Sequence, residues 1–369
     1  TQMSEVYFIS RRAQPNNSFI DKIKKLIKKT DLKKNINKND TVGIKLHFGE
    51  PGLTTFLRPV FLKPFTEEVK KSQGLPFLTD ANTIYRGPRS DGVRHLETAL
   101  KNGFSYTVTG APIIIADGIN SRNYAEVEIG KKYFDKVKIA GEAHRAKGLI
   151  VISHFKGHEM FGFGGAIKNI GMGLACKQGK LSLHSTAEPK VKKKKCTKCG
   201  TCQTWCPAGA IEIQQESAVI IPEKCIGCGQ CIMACPYKAI SLRWDVGFTE
   251  GQEKTAEYAL GVVKPKRDKL WFFNFLMDIT PECDCYGYSD SSLVPDIGVL
   301  ASTDPVSIDQ ASYDMVVKAS SMPDSKASGT KPGEDKFTKG HPKTQPEAIL
   351  KYSEKIGLGQ RKYNLKQIK

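Results

Sequence analysis

No run of about 18 apolar residues occurs in this 369-residue sequence, so no membrane-spanning helix is expected. The first ten residues lack a basic stretch followed by an apolar one, and Arg11-Arg12 precede no apolar run of the twin-arginine kind. The expected location is therefore the cytoplasm. Acidic residues are short: 38 Asp and Glu face 56 Lys and Arg, a formal charge of +18. Such an excess attracts nucleic acid, small anions or an acidic redox partner. A basic stripe with interleaved aromatics is also missing, so nucleic acid is not the expected partner. Aromatics make up only 9 %, but 40 % apolar residues and 33 glycines describe a globular chain long enough for one or two domains.

Cysteine is not short. Eight of the eleven fall in two runs, Cys196-x2-Cys199-x2-Cys202-x3-Cys206-Pro207 and Cys225-x2-Cys228-x2-Cys231-x3-Cys235-Pro236. That spacing is the ligand run of bacterial ferredoxins, in which three close thiolates hold three corners of a four-iron cube and the other run lends the fourth. Cys196, Cys199, Cys202 and Cys235 are thus expected to hold one 4Fe-4S cluster, and Cys225, Cys228, Cys231 and Cys206 the second. Zinc also takes Cys-x2-Cys pairs, but two complete runs, each ending in proline, favour iron and sulfur. Thiolates kept for clusters imply a reducing, anaerobic setting.

Around the runs the pattern is α/β, with short apolar segments at 6–10, 41–47, 76–80, 112–116, 127–130, 137–140 and 148–153 alternating with amphipathic helices at 18–29, 58–72 and 91–102. It resumes afterwards with a helix at 250–262, strands at 270–277 and 297–301 and a helix at 305–318. The expected architecture is a mainly parallel sheet with helices on both faces, formed by 1–191 and 246–369 and interrupted at 192–245 by an inserted α+β two-cluster ferredoxin module. Residues 191–195 read as a linker into the module, and 322–343 as an extended surface segment.

Two constellations follow predicted strands, where α/β sheets place their ligands. One is Ser153-His154-Phe155-Lys156-Gly157-His158-Glu159, running into Gly162-Phe163-Gly164-Gly165-Ala166-Ile167-Lys168. Its backbone N–H groups at Gly162, Gly164 and Gly165 can cradle an anion or cofactor, with Lys168 as point charge, nucleophile or tether. A tight turn whose glycines only permit close packing is the plainer alternative. The other is Cys283-Asp284-Cys285, after the strand at 270–277. Two soft ligands there, with His154 and His158, make a candidate third metal site; two reduced thiols are the alternative.

These segments, together with Val294-Pro295-Asp296-Ile297-Gly298-Val299-Leu300-Ala301-Ser302-Thr303-Asp304-Pro305-Val306 and Ile308-Asp309, resemble the DUF362 family with an embedded ferredoxin over nearly the whole chain. A more local likeness is to the nickel-pincer lactate racemases: His158, Lys168 and His184 are similar in order to that family's first histidine, lysine and later histidine. The resemblance implies an acid/base role for His158, a cofactor tether at Lys168 and a nickel ligand at His184. The expectation for function is an iron–sulfur oxidoreductase that passes electrons through two clusters to a metal, cofactor or small-anion site in the α/β body, with a redox partner protein. A non-catalytic electron carrier, or a factor that assembles a cofactor or metal on a partner, is the rival.

Overall fold

The computed structural model describes residues 3–85, 87–184, 189–206, 208–225, 230–241 and 247–368. Seven strands form one sheet: β1 (Ser4–Ser10), β2 (Thr41–Lys45), β3 (Leu75–Thr79), β4 (Gly148–His154), β5 (Leu270–Leu276), β6 (Gly298–Ser302) and β7 (Tyr363–Gln367). In space they run β7-β1-β6-β5-β4-β2-β3, and every pairing is parallel except the two made by β6. The central strands are apolar without alternation because both of their faces are covered. Leu149, Val151, Leu270 and Phe272 enter one core, while Ile150, Ile152, Trp271 and Phe273 enter the other.

Helices α1 (Phe19–Lys29) and α2 (Lys63–Lys71) close the second core, which takes Ile23, Leu26, Ile27, Phe65 and Val69 from them. The Ser18 hydroxyl accepts the Asp21 N–H at the start of α1, and the Asp21 carboxylate accepts the Ser18 N–H, a reciprocal cap that contributes about 1 kcal/mol. On the opposite face lie α3 (Ala166–Gly171), α4 (Phe248–Val263) and α5 (Pro305–Lys318), which bury Ile167, Ile170, Ala256, Ala259, Val306 and Ala311.

Three expectations need correction. Residues 112–116 form no strand and touch the sheet by one bridge, Leu78 to Ile113. The segments near 127–130 and 137–140 do become strands, Tyr124–Glu128 and Lys136–Ala140, but pair with each other outside the main sheet. The seven residues between them suffice for a hairpin, whereas a parallel crossover needs a dozen or more. The segment 322–343 is not simply extended: it contains the short helix Lys336–Gly340, whose Phe337 is fully buried against the rings of Phe155 and Tyr313.

Lys190–Val191 pairs with Ile240–Ser241, so the two ends of the cysteine-rich segment lie side by side, and Val191 belongs to a strand rather than a linker. Residue 242 lies outside the described residues. Ile211–Ile213 pairs with Ala218–Ile220.

Candidate functional site

Because β2, β3, β4 and β5 are adjacent in space and all point one way, their C-terminal ends share one edge of the sheet. A cavity of about 880 Å3 opens there, lined from β2 by Lys45 and His47, from β3 by Asp80, and from β4 by His154, with residues of the following loops. This is where parallel α/β sheets bind ligands. Asp304 does not line the cavity. Strand β6 runs antiparallel, so its end lies at the opposite edge, where Asp304 caps α5 and accepts the Ser4 hydroxyl at 2.9 Å.

Five cationic side chains line the cavity, Lys45, Arg89, Lys156, Lys168 and Lys180, against three acids, Glu50, Asp80 and Glu159. Lys45 is buried at the end of β2, 3.0 Å from Asp80 and 2.6 Å from the Asn169 side-chain oxygen. Burial pulls its pKa down to about 8 against the opposing pull of Asp80. Burial would raise the Asp80 carboxyl, but Lys45, the neighbouring histidines and Arg89 hold it well below the usual range. Arg89 donates to Glu50 at 2.8 Å and to the Tyr85 hydroxyl at 2.6 Å. The Lys180 ammonium donates to the carbonyls of Asn82 and Ala175, both at 2.8 Å, and burial lowers its pKa.

The glycine-rich segment is a hairpin, Lys156–His158 against Gly162–Gly164, leading straight into α3. Asp309 of α5 accepts the N–H groups of Ala166 and Ile167 at 2.7 and 2.9 Å and an Asn274 amide hydrogen at 2.7 Å, which fixes the start of α3 and hence Lys168. A side chain at Gly165 would collide with that Asp309 carboxylate. Gly162, with φ +79°, serves a left-handed turn against Pro346. Of the three glycines expected to cradle a ligand, Gly164 and Gly165 reach the cavity wall, while Gly162 serves the turn.

His154 and His158 are both buried at this site but do not combine with the cysteines as one donor set. His154 Nδ1 lies 2.9 Å from Asp284 Oδ1, and its Nε2 lies 2.9 Å from the Met277 carbonyl and 3.0 Å from that of Asp278. Both nitrogens lie against oxygen atoms and not against sulfur. His158 Nδ1 accepts the N–H groups of Met160 and Phe161 at 3.1 and 3.3 Å. Burial, reinforced by the Lys168 cation, pushes the His158 pKa down to about 3. The ring is therefore neutral with its proton on Nε2, a hydrogen-bond donor rather than the base that the racemase resemblance implies. His184 ends the helix Lys177–His184, and its side chain lies outside the described residues.

Cys283 and Cys285 sit in a turn closed by the Tyr286 N–H on the Cys283 carbonyl, 3.1 Å. Cys283 is fully buried, and the Lys168 ammonium donates to its sulfur at 3.2 Å. A hydrogen bond from Cys285, together with Lys168 and Lys156, outweighs burial and brings the Cys283 pKa down to about 5, so it is a thiolate at neutral pH. Burial alone would lower the Lys168 pKa, but Cys283 and Cys285 raise it above its ordinary value. Lys168 is thus held against sulfur, not free as a tether. Cys285 lines the cavity, its sulfur 3.6 Å from His47 Nε2. Between the two cysteines, Asp284 takes His154 on one side and the Lys156 ammonium, at 3.2 Å, on the other.

In the insert, Cys196, Cys199 and Cys202 of the first run and Cys235 of the second line one small hollow with Ile213, Ala218 and Ile240. The sulfurs of Cys196, Cys206 and Cys235 accept backbone N–H groups from Ala218, Ala210 and Ala239 at 3.4, 3.2 and 3.2 Å. Cys206 and Cys235 are each bonded by the residue four positions on, the internal repeat expressed in structure. Cys225 is half-buried, Cys231 is buried, and Cys228 and Pro207 lie outside the described residues. No described cysteine is in a disulfide, and among the described residues no three of His, Cys, Asp and Glu converge on a single ion. Three cysteines of the first run and one of the second thus stand around one hollow, the combination of runs that a four-iron cluster uses.

The model of the family described as "Domain of unknown function (DUF362)" matches residues 42–314, and the chain belongs to that family. No curated protein matches it. Among solved structures it is similar to the lactate racemase apoprotein from Thermoanaerobacterium thermosaccharolyticum, at 17 % identity and a TM-score of 0.36, over 74 % of this chain and 51 % of that one. A Thermotoga maritima protein solved in structural genomics gives 12 % identity and a TM-score of 0.35 over 70 % and 49 %. The chain thus spans about half the length of these proteins, and likeness of this degree says nothing of activity.

Lys45, His47, Glu50, Asp80, Tyr85, Arg89 and Lys180 were not expected at the site. One signal pointed to them: Lys45, His47 and Asp80 stand at the ends of the predicted strands 41–47 and 76–80, under the rule that picked out His154. Arg89 and Lys180 carry no local pattern, because their place depends on how loops return to the sheet edge.

Proposed function

We propose that the chain is an iron–sulfur oxidoreductase whose insert carries two 4Fe-4S clusters and whose sheet-edge cavity takes a small anionic substrate. The observation that carries this reading is the hollow in which Cys235 faces Cys196, Cys199 and Cys202, a pairing of the two runs that a zinc knuckle built from one run would not need. When bound, such clusters supply one-electron transfers at low potential. Cys196, Cys199, Cys202 and Cys235 would hold the first, and Cys206, Cys225, Cys228 and Cys231 the second. Backbone N–H groups of Ala210, Ala218 and Ala239 would stabilise the added charge on the sulfurs.

In the body, the excess of cations over acids on the cavity wall, and Lys180 held only by carbonyl oxygens, favour a bound anion. The neutral His158, with its proton on Nε2, would donate to a substrate oxygen without changing its own charge. The rival reading, a carrier or assembly factor acting on a partner, calls for a shallow or empty second site; a cavity of about 880 Å3 lined by ten ionisable groups or more supports the first reading.

Protein purified without air tests the reading. About eight irons and eight sulfides per chain are expected. Replacing Cys206 by Ala should remove the cluster held by Cys225, Cys228 and Cys231 and leave the other, seen as half the iron and one surviving signal in the electron paramagnetic resonance of the reduced protein. Zinc in place of iron, or loss of only the Cys196, Cys199 and Cys202 cluster, would overturn it.

A further inference from the structure

Beside the anion-binding wall lies a second pair of soft groups, the buried Cys283 and the half-buried Cys285. Four observations bear on it. The turn closed by the Tyr286 N–H on the Cys283 carbonyl folds the two residues onto each other and keeps Cys285 beside Cys283. Residues two apart in a turn hold their Cα atoms within the span that a disulfide bridges, about 4.4–6.8 Å. The two sulfurs differ in access: Cys285 lines the cavity, whereas Cys283 is fully buried behind it. Each sulfur also has its own polar partner, the Lys168 ammonium at 3.2 Å from Cys283 and the His47 ring at 3.6 Å from Cys285. His47 Nδ1 accepts the Gly49 N–H at 3.0 Å, so the ring presents Nε2–H to the Cys285 sulfur.

We infer that Cys283 and Cys285 form a redox-active dithiol that reduces a low-molecular-weight disulfide in the cavity, Cys285 attacking and Cys283 resolving. The inference rests on the cavity being the substrate site, and not on the clusters. The order follows from access, because only Cys285 can meet a molecule in the cavity. Its proton passes to the neighbouring Cys283 thiolate, and the Cys285 thiolate, with His47 Nε2–H as donor, attacks one substrate sulfur. The substrate S–S bond breaks, a Cys285 mixed disulfide forms, and the first substrate thiolate leaves. Cys283, its proton passed to that leaving sulfur and its thiolate stabilised by Lys168, then attacks the Cys285 sulfur. This forms the Cys283–Cys285 disulfide and expels the second thiolate. One disulfide is reduced, one is formed, and the single proton shared by the pair ends on one product thiol.

The chemistry selects the substrate by size as well as by bond. A cavity of about 880 Å3 holds a small disulfide but not a folded protein's surface loop with its flanks, so the class is a disulfide of low molecular weight. The pair differs from the insert's cysteines in both respects that matter for exchange. No insert cysteine has a lysine ammonium on its sulfur among the described contacts, and none lines this cavity.

The test uses the full chain purified without air and 2-hydroxyethyl disulfide as the probe. After an acid quench and alkylation of the remaining thiols, the tryptic peptide 270–318 is weighed; Cys283 and Cys285 are its only cysteines. The wild type should lose both alkylatable thiols in that peptide to an internal bond, release two 2-mercaptoethanol molecules per chain, and recover both thiols with dithiothreitol. Cys283→Ser should stop halfway, with the probe's half-molecule trapped on Cys285. Cys285→Ser should show no adduct on Cys283. Lys168→Gln should accumulate the Cys285 mixed disulfide by slowing the second attack, which keeps the test informative if Cys283→Ser fails to fold. Two alkylatable thiols persisting in the wild-type peptide, or an adduct on Cys283 in Cys285→Ser, overturn the inference. Iron measured on the same samples separates this failure from failure of the iron–sulfur reading: thiols inert with eight irons present sinks only the dithiol.

Discussion

In the insert, the described apolar core cluster is Cys202, Ile211, Ala218, Cys231, Cys235, Ala239 and Ile240, and the described strands are two or three residues long. The body instead buries two cores on either side of a seven-stranded sheet, with Trp271, Phe272, Phe273 and Phe275 in one strand alone. The contrast teaches where each region's order comes from. On the iron–sulfur reading, a segment of some fifty residues whose described core cluster has seven side chains, three of them cysteines, would draw much of its order from bound clusters. The body needs no such help. Its buried charges gather at one edge, where Lys45, Asp80, Arg89, Lys156 and Asp284 hold one another in ion pairs and hydrogen bonds.

The contrast breaks most visibly if iron is removed. Chelation under mild oxidation should raise amide hydrogen exchange across 190–241 to the rate of an unfolded chain, while β4 and β5 keep full protection. Exchange followed by mass spectrometry reads both regions in one sample. Protection surviving in the insert would mean that its short strands and apolar contacts suffice. Protection lost in β4 and β5 would mean that the two regions share one folding unit.

The body's edge gives the next largest effect. Asp284, fully buried, holds His154 at 2.9 Å and Lys156 at 3.2 Å, and burial's upward pull on its carboxyl is overcome by these two neighbours. Asp284→Ala leaves both partners buried without their counter-charge, which typically costs about 3–5 kcal/mol. Denaturant unfolding of the body should show a loss of that size. A loss below about 1 kcal/mol would show that solvent reaches the pair and that the network does not fix the cysteine turn.

The sequence disclosed some of this and hid the rest for physical reasons. Strands β2 to β5 were legible because strands covered on both faces must be apolar throughout, and α1 because Phe19, Ile23, Leu26 and Ile27 recur at helical spacing. Strand β7, Tyr363-Asn364-Leu365-Lys366-Gln367, was not, since an exposed edge strand carries no apolar signal. The hairpin at 124–140 was read as strands but placed in the wrong sheet, because apolar pattern reports that a segment is half-buried and not against what. At the site, Cys283, Cys285, His154, His158 and Lys168 were found from strand ends and do lie together, yet the hydrogen bonds that decide their chemistry were out of reach. Whether His154 faces sulfur or Asp284, and whether His158 offers a lone pair or a proton, depends on ring rotation that no spacing encodes.

That last point yields the smallest of the expected effects and the most specific. His158 is neutral in the folded protein down to a pKa of about 3, while in the unfolded chain it titrates near its ordinary 6.5. Between these values the unfolded state binds a proton that the folded state refuses, so folding stability falls as pH drops below 6.5 and the loss grows toward 3. From pH 7 to pH 6 this one group accounts for about 0.7 kcal/mol, from the difference in proton uptake over that unit. Replacing His158 by Gln removes the titration and keeps a side-chain oxygen to accept the Met160 and Phe161 N–H groups. The variant's stability, measured by urea unfolding at pH 7 and pH 6, should therefore fall by about 0.7 kcal/mol less than the wild type's over the same interval. Equal slopes for the two proteins would mean that His158 takes up its proton in the folded state, with Nδ1 released from the hairpin backbone, and would return it to the role of a base.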